Sequence, residues 1–272
     1  MRFIKFGIIL LLVLWMVTAP VAMNASVGSV LYRVQIVVNE PVWVWVRITG
    51  KGRAEEVSSQ LQKHYVELEE SLVSGNADEQ KWAKLAETNA FARAQTELTQ
   101  LLSDQNFMVA HSLATQMHVY VVAHGQVLDA LVSNPTLSSH GADVAFLQDR
   151  LAVAETSLDT VNKAFAAKYA RIDFLKGIDG KLTELRQGID AINLELGGVA
   201  DNLTNQERWS YATALEKAKL LEGIANNYLG QDRYVDSYKS ANEALGLVLE
   251  MRIMLQANQK FHVELLVNNL NM

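Results

Sequence analysis

From Ala54 onward, apolar side chains recur every three or four positions, the spacing that places them on one face of a helix. Val57, Leu61, Tyr65, Leu68 and Leu72 form the first stripe, which closes at Ser74-Gly75-Asn76. Asn76 and Glu79 have capping-box spacing, so a second helix starts there and runs through Trp82, Leu85, Ala90, Leu98 and Leu101. A third helix is expected between Phe107 and Val132, although Val119 to Val122 is also strand-like; Asn134-Pro135 stops it. The strongest periodicity follows. Leu147, Leu151, Ala154, Leu158, Val161 and Phe165 alternate in steps of four and three. After a phase slip near Lys176 the rhythm resumes at Ile178, Leu182, Leu185, Ile189, Ile192, Leu196, Val199 and Leu203. This is a coiled-coil seam, and a single helix over it would reach roughly 85 Å. Gly177-Ile-Asp-Gly180 falls at the slip, so a bend or a fold-back is expected there.

Thr204 and Glu207 repeat the capping-box spacing, which predicts a helix from Asn205 to about Tyr228. A break at Gly230-Gln-Asp232 and a last helix from about Arg233 complete the pattern. Tyr234, Ser237, Ala241 and Ala244-Leu245 resemble the second helix of a tetratricopeptide repeat, but no copy recurs 34 residues away. The resemblance implies tight helix packing and nothing more. At the tail, Phe261, Val263, Leu265 and Val267 alternate like a strand, while Met251, Met254, Asn258, Phe261 and Leu265 continue a helical stripe. Helix is the preferred reading, with a strand as the alternative.

The period is different before residue 50. Val30 to Val38 and Val42 to Ile48 alternate with a period of two around Asn39-Glu40-Pro41, which predicts a β-hairpin over 29–50. Trp43, Trp45 and Arg47 share one of its faces, either as an interaction patch or packed beneath a helix. Ahead of it, Arg2 and Lys5 precede an uncharged run from Phe6 to Ala22 that includes Leu11, Leu14 and Trp15. A basic start before such a run is read as a signal peptide or membrane anchor over 1–25, with the body outside the cytoplasm. The fold class expected is therefore mainly α: an elongated antiparallel bundle with a coiled-coil-like body and a short N-terminal hairpin. A small α+β element is added if the tail is a strand. The divisions are 53–133, 142–204 and 205–267.

Composition narrows the function classes. Three prolines in 272 residues suit long helices. Residues 1–50 carry Arg2, Lys5, Arg33 and Arg47 against Glu40, a net +3, so the remainder carries −9 of the total −6. An acidic body disfavours nucleic-acid binding. The chain has no cysteine, hence no disulfide, thiol nucleophile or cysteine-ligated metal.

Candidate chemistry is sparse. His111 and His118 are seven residues apart and share a helical face; with His124 they are weak candidates for a metal site, although polar-face or core histidines explain them as well. No zincin or nucleophile-elbow motif occurs. The expectation is a non-enzymatic exported or membrane-anchored envelope protein without a cofactor. It would act as scaffold, spacer or protein-interaction module, self-associating along Ile178, Leu182, Leu185, Ile189, Ile192 and Leu196. The alternatives are an extracytoplasmic ligand- or metal-binding module near His111, His118 and His124, and an enzyme of unrecognised type.

Overall fold

A computed structural model describes residues 53–134, 144–167 and 171–267. These residues are 90% helical and contain no strand. Seven α-helices follow in order: α1 Arg53–Ser74, α2 Ala77–Ser103, α3 Phe107–Ser133, α4 Phe146–Ala167, α5 Arg171–Val199, α6 Asn205–Gly230 and α7 Tyr234–Phe261. A short 3-10 turn at Ala200–Asn202 joins α5 to α6. The predicted anchor with Phe6, Leu11, Leu14 and Trp15, and the predicted hairpin with Trp43, Trp45 and Arg47, lie outside the described residues.

The local signals that start and stop these helices are visible in atomic detail. Asn76 caps α2 by accepting from the Asp78 and Glu79 amides. Thr204 and Glu207 form a complete capping box, with Thr204 Oγ1 accepting at 3.1 Å and Glu207 Oε2 accepting at 2.9 Å. Left-handed residues end α1 at Gly75, α2 at Gln105, α6 at Asp232 and α7 at His262. The first is a glycine; the other three accept a conformation that costs a side-chain-bearing residue about 1 kcal/mol. Val119 to Val122 is helical, its β-branched residues serving to fill the interior.

Consecutive helices reverse direction, and two of them are central. One group gathers around α3, which packs against α1, α2 and α4; another gathers around α7, which packs against α5 and α6. The groups join where α3 meets α7. These two run the same way: the Tyr238 hydroxyl donates to the Met108 carbonyl at 2.9 Å, and Asn242 meets His111 one turn further on. Leu61, Tyr65, Leu113, Met117, Leu128, Leu131, Met251 and Met254 are among the fully buried side chains. Each such Leu contributes about 2 kcal/mol by leaving water. The α6/α7 pair makes the most extensive contact of all, in keeping with the tight packing expected from its small residues.

Three expectations are corrected. The seam from Leu147 to Leu203 is neither one long helix nor a structure bent at Gly177–Gly180. Helix α4 ends at Ala167, α5 starts at Arg171, and both glycines lie inside α5. A Cβ on Gly177 would meet the flexible end of Met108 of α3, its Cε lying 2.0 Å from that position, and that side chain would have to turn aside. The two halves of the seam are covered by different neighbours, α4 by α3 and α5 by α7. For the same reason Ile178, Leu182, Leu185, Ile189 and Ile192 are not a surface for a second copy. All five are buried within the chain, and Leu196 packs partly against the same core. The tail is the third correction. Helix α7 stops at Phe261, and His262–Val267 continues without helix, alternately burying Val263, Leu265 and Val267. Among the described residues it has no strand partner; side chains of α6 and α7 hold its backbone instead. Glu207 accepts from the Leu265 amide at 3.1 Å, Ser210 donates to the Val267 carbonyl at 3.2 Å, and Asn258 donates to the Val263 carbonyl at 3.0 Å.

Candidate functional site

Polar chemistry collects in two places, inside the α1–α4 group and in a cleft over α7, and exposed apolar side chains stand in a third, the outer face of α6. Inside the first group, Glu87 of α2 is fully buried. Arg150 reaches it from α4, donating from Nε at 3.2 Å and from a second nitrogen to Thr88 at 3.2 Å. The guanidinium also lies 4.8 Å above the Phe91 ring, which holds its plane. Burial pushes the Glu87 carboxyl above its ordinary range, and the Arg150 charge works against that rise. The Tyr65 hydroxyl faces the same carboxyl, and burial holds it well above the ordinary phenol range, with the Glu87 charge adding. Tyr65 stacks flat on His124, with ring centroids 5.0 Å apart and planes 4° from parallel. His124 Nδ1 bonds Glu69 at 2.7 Å. Four helices thus share one buried run of polar groups from Arg150 to Glu69.

The three histidines of α3 take different partners. His111 Nε2 meets Asn162 of α4 at 3.1 Å and its Nδ1 meets Asn242 of α7 at 2.7 Å. Burial depresses its pKa to about 4, so the ring is neutral at pH 7. His118 is depressed in the same direction by burial, with Glu155 of α4 opposing. His124 points to Glu69 and Tyr65 of α1. They do not converge, and among the described residues no group of three metal-binding side chains exists.

The cleft, of about 310 Å³, opens where α3 and α5 flank α7 without closing on each other. Ser112, Thr115 and Gln116 form its α3 wall, a polar strip on an otherwise apolar helix. Lys181, Glu184 and Gln187 form the α5 wall. Leu245, Gly246 and Leu249 give an apolar floor on α7, bounded by Asn242 at one end and Arg252 at the other. Lys181 donates to Ser112 at 3.2 Å and to Glu184 at 2.8 Å. Gly188 belongs here as well: a Cβ on it would stand 3.1 Å from Val248, so its absence lets α5 approach α7.

On α6, one face is core: Tyr211, Ala214, Leu215, Ala218, Leu221 and Ala225. The opposite face carries Trp209, 72% exposed, and Leu220, 64% exposed. They are three turns apart and so lie in one line. Arg186 of α5 bonds Glu222 and Asn226 of α6 at 2.8 and 3.0 Å. That antiparallel register brings Leu194, 78% exposed, to the level between them. None of these three was selected from sequence, although Trp209 falls outside the α6 core stripe and a helical wheel separates it. The partners Arg150, Asn162 and Asn242 carry no local signal of their pairing. No described helix is long and apolar enough to cross a membrane.

No protein-family model, no curated protein and no solved structure matches the chain.

Proposed function

We propose that this chain is a non-enzymatic helical interaction module of the cell envelope, exported or membrane-anchored through residues 1–25, that docks a protein partner on the outer face of α6. The observation that carries the reading is the line of Trp209 and Leu220 with Leu194 beside it. Large apolar side chains in water cost free energy, and these three stand at neighbouring levels of α5 and α6, with Thr213 and Glu216 between Trp209 and Leu220. Trp is also the residue type most enriched where binding energy concentrates. The predicted α5 seam is consumed inside the fold, and among the described residues Leu194, Trp209 and Leu220 are the most exposed of the large apolar side chains, ahead of Leu85 on α2 and Val73 on α1. The envelope location rests on the basic start and the apolar run of the first 25 residues. The non-enzymatic character rests on a sequence that assembles no common catalytic constellation.

A photo-crosslinking side chain placed at residue 209 or 220 of the full-length protein in living cells tests this. Discrete adducts are expected from both positions and none from exposed Lys81 on α2. Equal adduct patterns at all three positions, or none at 209 and 220, reject the reading.

A further inference from the structure

We propose that the cleft between α3, α5 and α7 binds a linear organic dianion, an α,ω-dicarboxylate, gripped at one end by Lys181 and at the other by Arg252. This site is separate from the α6 face and goes beyond the interaction reading.

Charge is the first argument. The body of the protein is acidic, yet the cleft wall presents two cations and one carboxylate. Neither cation is splayed into solvent, their side chains being 18% and 34% exposed. Lys181 is aimed by Ser112 and Glu184, which occupy two of its three donors. Arg252 has only a loose pair with Glu195, at 3.6 Å, beyond hydrogen-bonding distance. Among the described residues its planar fork of N–H donors is therefore open to a carboxylate, for which its geometry is suited.

Shape and lining select the rest of the molecule. Lys181 lies level with Ser112 and the Asn242 end of the cleft. Arg252 stands ten residues further along α7, or about 15 Å at the helical rise. Between them the floor is Leu245 and Leu249, interrupted by Gly246, which leaves room for a methylene chain. Thr115, Gln116 and Gln187 on the walls supply hydrogen bonds without charge. The volume of about 310 Å³ lies at the small end of the range for ligand pockets and suits a chain of this class.

The test titrates the full-length protein with succinate, adipate, suberate and sebacate by calorimetry and thermal melting, with hexanoate as the singly charged control. Saturable binding with one best length is expected, together with a melting-temperature rise of several degrees and at least tenfold weaker hexanoate binding. Lys181→Gln and Arg252→Gln should each weaken the best ligand tenfold or more. Gln187→Trp should block it with both cations in place, which decides the matter even if a charge variant folds poorly. Absence of saturable binding by every member up to ~10 mM overturns the proposal, since that bounds the affinity below about 3 kcal/mol. Binding that all three substitutions leave unchanged overturns it equally. Crosslinking at residues 209 and 220 is independent of either result.

Discussion

The buried network of the α1–α4 group and the cleft over α7 are built from similar residue types, yet they present opposite situations. In the network, Glu87, Tyr65, His124 and Glu69 are shut away from water, and half-buried Arg150 and Thr88 close the run across four helices. In the cleft, Ser112, Gln116, Lys181, Gln187 and Arg252 border an open space. A closed polar cluster spends its chemistry on itself and fixes how helices sit; an open one keeps donors for something else. Polar residues in a bundle interior are thus read by whether their partners are already present.

The contrast can be broken experimentally, and the largest effect should come from the closed side. Arg150→Met leaves the fully buried Glu87 without its cation, and a loss of about 3–5 kcal/mol is expected in urea unfolding. The loss should be larger at pH 8 than at pH 5, because a carboxyl already pushed upward by burial escapes by taking a proton. Adding Glu87→Gln should restore much of it, which a double-mutant cycle measures. Equal losses at both pH values would mean that the charge is not the cause.

His111 stands between the two situations, bonded to Asn162 on one side and to the cleft residue Asn242 on the other. Its folded pKa of about 4 lies below the ordinary 6.5, so between those values the unfolded chain binds more protons than the folded one. Stability contributed by the neutral ring is complete above pH 6.5 and is lost as pH falls towards 4, by about 3 kcal/mol in all. The raised carboxyls of Glu87 and Glu243 act with the opposite sign, so the effect is read as the difference between wild type and His111→Gln across that window. A slope identical in the two proteins would remove His111 from the account.

Smaller effects belong to the open side. Gln187→Met, on the cleft wall, should change stability by no more than about 0.5 kcal/mol, as surface substitutions usually do. Gly180→Ala should raise stability by about 1 kcal/mol, because nothing stands within 4 Å of the added methyl. Gly188→Ala should gain less than that or lose, since Val248 must move for it. Thermal melts of the three variants together check whether the two glycines differ as their surroundings do.

The helices were legible in the sequence because their signals are local. Stripes such as Val57–Leu72 and caps such as Thr204 with Glu207 depend on neighbours within a few positions. The division between α4 and α5 was misplaced because glycine was read as a breaker. At Gly188 it serves instead to admit Val248 from a distant helix, and Gly177 lies inside α5 against the flexible end of Met108. The tail shows a related ambiguity: Leu265 fits both a helical stripe and an alternating one, and only contact with Glu207 and Ser210 decides between them. The seven-residue spacing of His111 and His118 did place both towards α4. It could not reveal that Asn162 and Asn242 take up both ring nitrogens of His111, because those partners lie 51 and 131 positions away.

The carboxylate of Glu207 touches three parts of the chain: the backbone of Thr204, the side chain of Asn258 and the amide of Leu265. A ribosome makes it 58 residues before the last of these. The cap with Thr204 can close as soon as that turn is made, whereas the same carboxylate meets Asn258 and Leu265 only when they emerge much later. One side chain thus both starts a helix and anchors the far end of the fold, so the docking of the tail completes what the cap begins.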